Sequence, residues 1–184
     1  MRVERGERAL GVMVFLLLSM AFVAAPSAAQ VRGDDAERAS KNGLAEGQIG
    51  DVEVAVTYGR PRVKGRKIFG GLVPYGRIWR AGADEATTIT FSSDVTIGGE
   101  TVPGGTYSLF YLPEQNGWTA VLNGQLGQWG AYDYDPKKDL LRAPATVAEQ
   151  DETVEELTYS VEADGVVLEW DDHRVLLDVA TADS

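Results

Sequence analysis

No cysteine occurs anywhere in the sequence and only one histidine does, and these two absences remove several chemistries at once. Without cysteine there are no disulfides and no lipidated N-terminal cysteine, so the fold must rest on its core alone. With His173 as the single imidazole, a multi-histidine zinc site is excluded, and a Ser-His-Asp triad has one residue to be built on. A Gly-x-Ser-x-Gly elbow, a phosphate-binding loop and a dinucleotide fingerprint are missing too, and no cofactor is expected. Helical periodicity is scarce as well. No segment longer than about ten residues carries a convincing 3.6-residue period, although 67–72 and 136–141 have room for a turn or two, and the parallel α/β classes lose their crossover helices.

What is present begins with an export signal. Arg2, Arg5 and Arg8 lead into Ala9–Ala25, which is apolar apart from Ser19, and Ser27-Ala28-Ala29 supplies small residues at the position of cleavage. Residues 1–29 read as a signal peptide cut after Ala29, with an uncleaved anchor as the rival reading. The remaining 155 residues suit one domain, placed in the periplasm or outside the cell, with no membrane insertion after cleavage. The chain has 17 Lys and Arg against 28 Asp and Glu; three of the former and two of the latter lie in the signal, which leaves the mature part near −12. Such an acidic chain is repelled by phosphate backbones and anionic lipid, so nucleic acid is not an expected partner.

Residues 30–50 are polar and small without a sustained period and read as a flexible leader; the Arg32-Gly33-Asp34 tripeptide within them is read as chance. From 51 to 180 the pattern alternates, as strands with one buried face require. Val52, Val54, Val56 and Tyr58 alternate with polar or small residues; Thr87, Ile89 and Phe91 follow, and Gly98-Gly99 sits in a two-residue turn. Tyr107, Leu109 and Tyr111, then Trp118, Ala120 and Leu122, continue the series. Leu157, Tyr159 and Val161 turn through Asp164-Gly165 into Val166, Leu168 and Trp170, and Asp171-Asp172 is expected to turn into Val175, Leu177 and Val179; 181–184 is a tail. Many short antiparallel strands predict an all-β fold: a jelly-roll-like β-sandwich, with a small β-barrel as the alternative.

The strongest asymmetry is electrostatic. Arg60, Arg62, Lys64, Arg66, Lys67, Arg77 and Arg80 fall in 21 residues without one Asp or Glu, a charge of +7 against −19 for the rest of the mature chain. Clustered guanidinium groups suit carboxylate, phosphate or sulfate; the competing reading pairs them with the domain's own acids. The same region carries a resemblance. Tyr58-Gly-Arg60-Pro61, the run Lys64-Gly-Arg66-Lys67-Ile68-Phe69-Gly70-Gly71-Leu72-Val73-Pro74-Tyr75-Gly76, and Trp79-Arg80-Ala81-Gly82-Ala83-Asp84-Glu85-Ala86-Thr87 resemble the signature of the DUF2911 family, as do Gly105-Thr-Tyr107-Ser-Leu109 and Gln128-Trp129-Gly130-Ala131-Tyr132. The resemblance spans about 50–180 and implies an exported bacterial domain of unassigned function. Where that family commonly reads Gly-Ala-Asn-Glu, this chain has Asp84, a carboxylate in place of an amide donor.

Candidate sites follow from these features. Arg66, Arg80, Asp84 and Glu85 are the first choices for binding an anionic ligand, with Trp129 and Tyr132 as faces for a sugar ring or else as a plug at the end of the sandwich. Asp84 and Glu85 also suggest paired carboxylates for glycan hydrolysis, with Glu85 the catalytic candidate, but neighbours on an extended strand face opposite ways unless the chain bends after Gly82. The structural alternative pairs one of them with Arg66 or Arg80. Asp133, Asp135 and Asp139 have oxygen spacing for Ca²⁺ yet lack the central glycine and terminal glutamate of an EF-hand. The resulting expectation is a non-enzymatic binding or structural module for an anionic or saccharide ligand, with a carboxylate-based glycan hydrolase as the alternative and protein partners left open.

Overall fold

The computed structural model describes residues 32–182; the signal segment lies outside them. Ten antiparallel strands make up nearly all of the regular structure: β1 (Lys41–Ile49), β2 (Val52–Arg60), β3 (Thr87–Phe91), β4 (Val95–Ile97), β5 (Glu100–Val102), β6 (Gly105–Glu114), β7 (Gly117–Asn123), β8 (Asp139–Glu162), β9 (Gly165–Asp178) and β10 (Ala180–Thr181). Two single 3-10 turns, Asp35–Glu37 and Pro136–Lys138, are the helical content of the described residues. One sheet runs β1-β2-β3-β6-β7-β8-β9, and β10-β4-β5 form a small second one.

The architecture is the antiparallel β-sandwich or barrel that the alternation predicts, with the seven-stranded sheet nearly closed on itself. Successive strands are neighbours except where the β4–β5 hairpin is inserted between β3 and β6, so closure proceeds by a meander. Strand β8 makes the closure. Its first residues pair with β7 from Trp118↔Ala145 to Asn123↔Asp139, register shifts after Glu149 and Val154 bend it, and its end returns to the first hairpin. There Val63 N donates to Glu155 O (2.8 Å) and Leu157 N to Pro61 O (3.0 Å). Gly47 of β1 meets Val161 so closely that a methyl group on it would lie 2.7 Å from Val161 Cβ.

Two expectations change. Lys41–Ile49, taken as flexible leader, is strand β1, paired with β2 from Lys41↔Arg60 to Ile49↔Val52. It buries only Ala45 and Ile49 strongly, which is why no apolar alternation marked it. The turn expected at Asp171-Asp172 is instead a kink inside β9, with Asp171 at φ 57°, and His173 pairs with Glu149 across the ladder.

Residues 61–86 connect β2 to β3 and close the end of the barrel opposite the β1–β2 turn. A connection of this length is uncommon without a role of its own. It is held by backbone and by rings. Trp79 and Tyr111 exchange N–H···O bonds of 2.7 and 2.9 Å. Phe69 inserts among Trp118, Trp170 and His173, with ring centroids 4.8, 6.0 and 4.4 Å away, and Trp79 stacks on Trp170 at 5.9 Å. Edge-on contacts of this kind add to the burial of large apolar area. We predict that Phe69→Ala costs about 3–5 kcal/mol, whereas Leu72→Ala, three residues on and half exposed, costs less than about 0.5 kcal/mol, as read from urea unfolding midpoints.

Candidate functional site

The site is organised by the corner that ends this connection. Ala81 and Asp84 both have left-handed backbones, φ 57° and 61°. Ala81 is held there by its buried carbonyl, which accepts from Thr87 Oγ1 (2.9 Å) and from Tyr159 Oη (3.0 Å). Asp and Asn are the non-glycine residues most tolerant of this conformation, so Asp84 takes it at little cost. The bend also answers the geometric objection to a carboxylate pair. Asp84 and Glu85 do face one partner, and that partner is Arg38.

Arg38 Nη1 donates to Glu85 Oε2 (2.6 Å) and to Asp84 Oδ2 (3.4 Å), while its Nη2 donates to Glu85 Oε1. Arg32 pairs with Oε2 at 3.2 Å, donates to the carbonyls of Ala83 (2.8 Å) and Glu85 (3.2 Å), and reaches Asn42 Oδ1 at 2.9 Å. Gly33 N adds a bond of 3.3 Å to Oε1. The side chains of Arg32, Arg38 and Glu85 are 4, 11 and 11 % exposed, so this is a sequestered ion-pair knot. Bonds from Arg38 carry the Glu85 carboxyl from 4.5 down to about 2 against the opposing effect of its burial. A carboxylate so held is ionised throughout the neutral range and has no proton to give as a general acid.

Two assignments are corrected here. The residue that pairs with Glu85 is neither Arg66 nor Arg80, and the Arg32-Gly33-Asp34 segment is docked against the corner. Composition hid these partners, because two arginines in a polar, acidic stretch look solvated; nothing local shows that Glu85 folds back onto them.

The cationic stretch divides. Arg60 and Arg62 pair with Glu156 and Glu155 at 2.9 and 3.4 Å. Arg66 Nε donates to Val63 O (3.0 Å) and its Nη2 to Arg62 O, so it braces the loop and has no carboxylate partner among the described residues. Among the described residues Lys64, Lys67, Arg77 and Arg80 have no carboxylate partner. Arg62, Lys64, Arg66 and Arg80 line one cleft of about 300 Å³, whose other lining residues include Trp79, Trp170 and the Gly82–Asp84 corner. Two buried donors of these lining residues, Arg80 Nε and Trp170 Nε1, meet no acceptor among the described residues. Asp84 is the single acid among the lining residues, and it is shared with Arg38.

The aromatic loop lies beside the corner. Gln128–Gly130 pairs with Asp84–Ala86 through Ala86 N→Gln128 O (3.0 Å) and Gly130 N→Asp84 O (2.9 Å), with Trp129 opposite Glu85. Trp129 and Tyr132 are 55 and 82 % exposed and plug nothing. Tyr134 is the packed ring, 5.1 Å from Phe110 on the outer face of the sheet.

Asp133, Asp135 and Asp139, whose spacing suggested Ca²⁺ oxygens without the rest of an EF-hand, lie at a turn. Asp135 caps the 3-10 turn through Lys137 N (3.0 Å), and Asp139 accepts from Asn123 (2.8 Å), Tyr134 (2.6 Å) and Arg142 (2.8 Å). Asp133 is exposed, and among the described residues no three His, Asp or Glu side chains gather to hold a metal. Burial, reinforced by the bond to Asp139, pushes the Tyr134 hydroxyl up to about 12.

A family model described as "Protein of unknown function (DUF2911)" covers residues 40–179, and so takes in β1. No curated protein and no solved structure matched.

The knot makes stability depend on pH with a defined sign. The folded-state pKa of Glu85 lies below its unfolded value, so its contribution is complete above about 4.5 and is lost as pH falls toward 2. The shift corresponds to a contribution on the order of 3 kcal/mol. Urea titrations from pH 7 to 2 should show the gap between the wild type and Glu85→Gln narrowing across that window.

Proposed function

The chain belongs to the DUF2911 family, and from that premise and the basic cleft we propose that it is an exported, non-enzymatic binding module for an anionic ligand. One observation carries the reading: Arg80 borders the cleft with its guanidinium partly buried and without a carboxylate partner among the described residues. Withdrawing a cation from water is costly unless a counter-charge compensates. In a chain with 28 acidic residues, the lack of a partner at this point is not a shortage of carboxylates. A carboxylate, phosphate or sulfate in the cleft supplies the missing charge, and the fork geometry of Arg80 suits two of its oxygens. Lys64 and Arg66 add positive potential at the same opening.

Glycan hydrolysis draws less support. Its best carboxylate, Glu85, has its oxygens occupied by Arg38, Arg32 and Gly33, and Asp84 turns to the same Arg38.

Two tests follow. Mass spectrometry of the protein secreted from a bacterial host should give a mature N-terminus at Gln30; retention of residues 1–29 refutes the export reading. Phosphate, sulfate and galacturonate at millimolar concentration should raise the melting temperature of the mature protein. Arg80→Gln should abolish that increase while the circular dichroism and the ligand-free melting temperature stay as in the wild type.

A further inference from the structure

The basic cleft and the exposed aromatic loop meet at Gly130. This residue has φ 67°, and a methyl group on it would sit 3.1 Å from the Tyr132 ring and 3.4 Å from Arg80 Nη1. The Arg80 guanidinium, which has no carboxylate partner among the described residues, therefore lies next to the most exposed aromatic ring among them. Trp129 stands on the other side of Gly130. As the cross-strand partner of Glu85 it projects to the same face as that side chain. The face is electrically quiet, because the charges of Arg32 and Arg38 cancel those of Asp84 and Glu85. A negatively charged ligand approaching Tyr132 thus meets Arg80, while the carboxylates of the corner, Asp84 and Glu85, are already paired with arginine.

Resting on the anion-binding reading above, we propose that the ligand is an acidic saccharide, with a carboxylate of the sugar on Arg80 and its ring faces on Tyr132 and Trp129. A small inorganic anion satisfies Arg80 but leaves two large apolar faces in water. A neutral apolar ligand covers the rings and leaves the guanidinium uncompensated. A uronic-acid chain combines an apolar C–H face on each ring with one carboxylate per residue, which matches a guanidinium beside one exposed aromatic ring, with a second exposed ring, Trp129, on the same loop. The Arg80 fork takes the carboxylate in two parallel N–H···O bonds, and the flat rings set the orientation of the sugars on either side.

The test uses the mature protein at neutral pH with three probes: galacturonic acid trimer, galacturonic acid monomer and inorganic phosphate. Calorimetry should give an affinity for the trimer at least about tenfold above the monomer. Tyr132→Ala and Trp129→Ala should each weaken the trimer by about five- to tenfold and leave phosphate binding and the melting temperature unchanged. Arg80→Gln should remove all three probes. If the trimer binds no better than the monomer, or if both aromatic variants retain it, the saccharide assignment is overturned while the anion cleft stands. If phosphate and monomer fail to bind, or bind equally to Arg80→Gln, the anion cleft itself is overturned.

Discussion

A carboxylate removed from water stays ionised only if donors replace the lost hydration, and at Glu85 those donors come from Arg38, Arg32 and the Gly33 amide. The position of everything around the cleft depends on this knot. It ties the segment before β1 to the corner before β3, two places 46 or more residues apart in the chain. It draws Asp84 and Glu85 to one side of a left-handed bend, which leaves the Asp84 carbonyl free to accept from Gly130. Through that bond the aromatic loop is set beside Arg80. Breaking the knot would leave charges buried without partners, the kind of loss that is severe because the remaining groups cannot regain water.

The positive cleft in an acidic protein is a matter of where the acids fall along β8. Glu155 and Glu156 lie in its bulged middle, and consecutive side chains there reach Arg62 and Arg60. Those two cations are spent on bracing the end of β2. Among the described residues the side chains of Lys64, Arg66 and Arg80 pair with none of β8's acids, although the Glu155 carboxylate accepts from the Lys64 amide (3.2 Å), and Asp84 is held by Arg38. Charge surplus over the whole chain therefore coexists with a local deficit of carboxylates, and the local balance decides what a ligand meets at contact distance.

Legibility of the fold followed side-chain size. Strands β2, β3, β6, β7 and β9 put Val, Ile, Leu, Phe, Tyr or Trp on the inner face, and their alternation is plain. In β1 and the first half of β8 three of the five most buried positions are Ala45, Ala143 and Ala145, which leave only Ile49 and Leu141 as large inner residues and bury too little area to mark a period. Pro144 in that half of β8 further obscured it, and is accommodated because the ladder to β9 begins only at Thr146. At the site, Arg80, Trp129 and Tyr132 stood out by charge or exposed aromatic character. Arg32 and Arg38 did not, since an arginine that will be buried against a distant glutamate looks no different in sequence from one in solvent.

The amino-acid pattern by itself determined the all-β class, most strand positions, the clustering of cations over residues 60–80 and the exclusion of thiol and multi-histidine chemistry. All of these depend on composition or on contacts between residues close in the chain, where period and charge density can be counted directly. Only the tertiary structure decided that Glu85 is a structural anchor, that Arg60 and Arg62 have carboxylate partners while Arg80 has none among the described residues, and that Gly130 brings the guanidinium to the Tyr132 ring. Those outcomes rest on pairings between residues far apart in the chain. They are set by the left-handed bend at Asp84 and by the return of β8 across the first hairpin, neither of which leaves a local periodic trace.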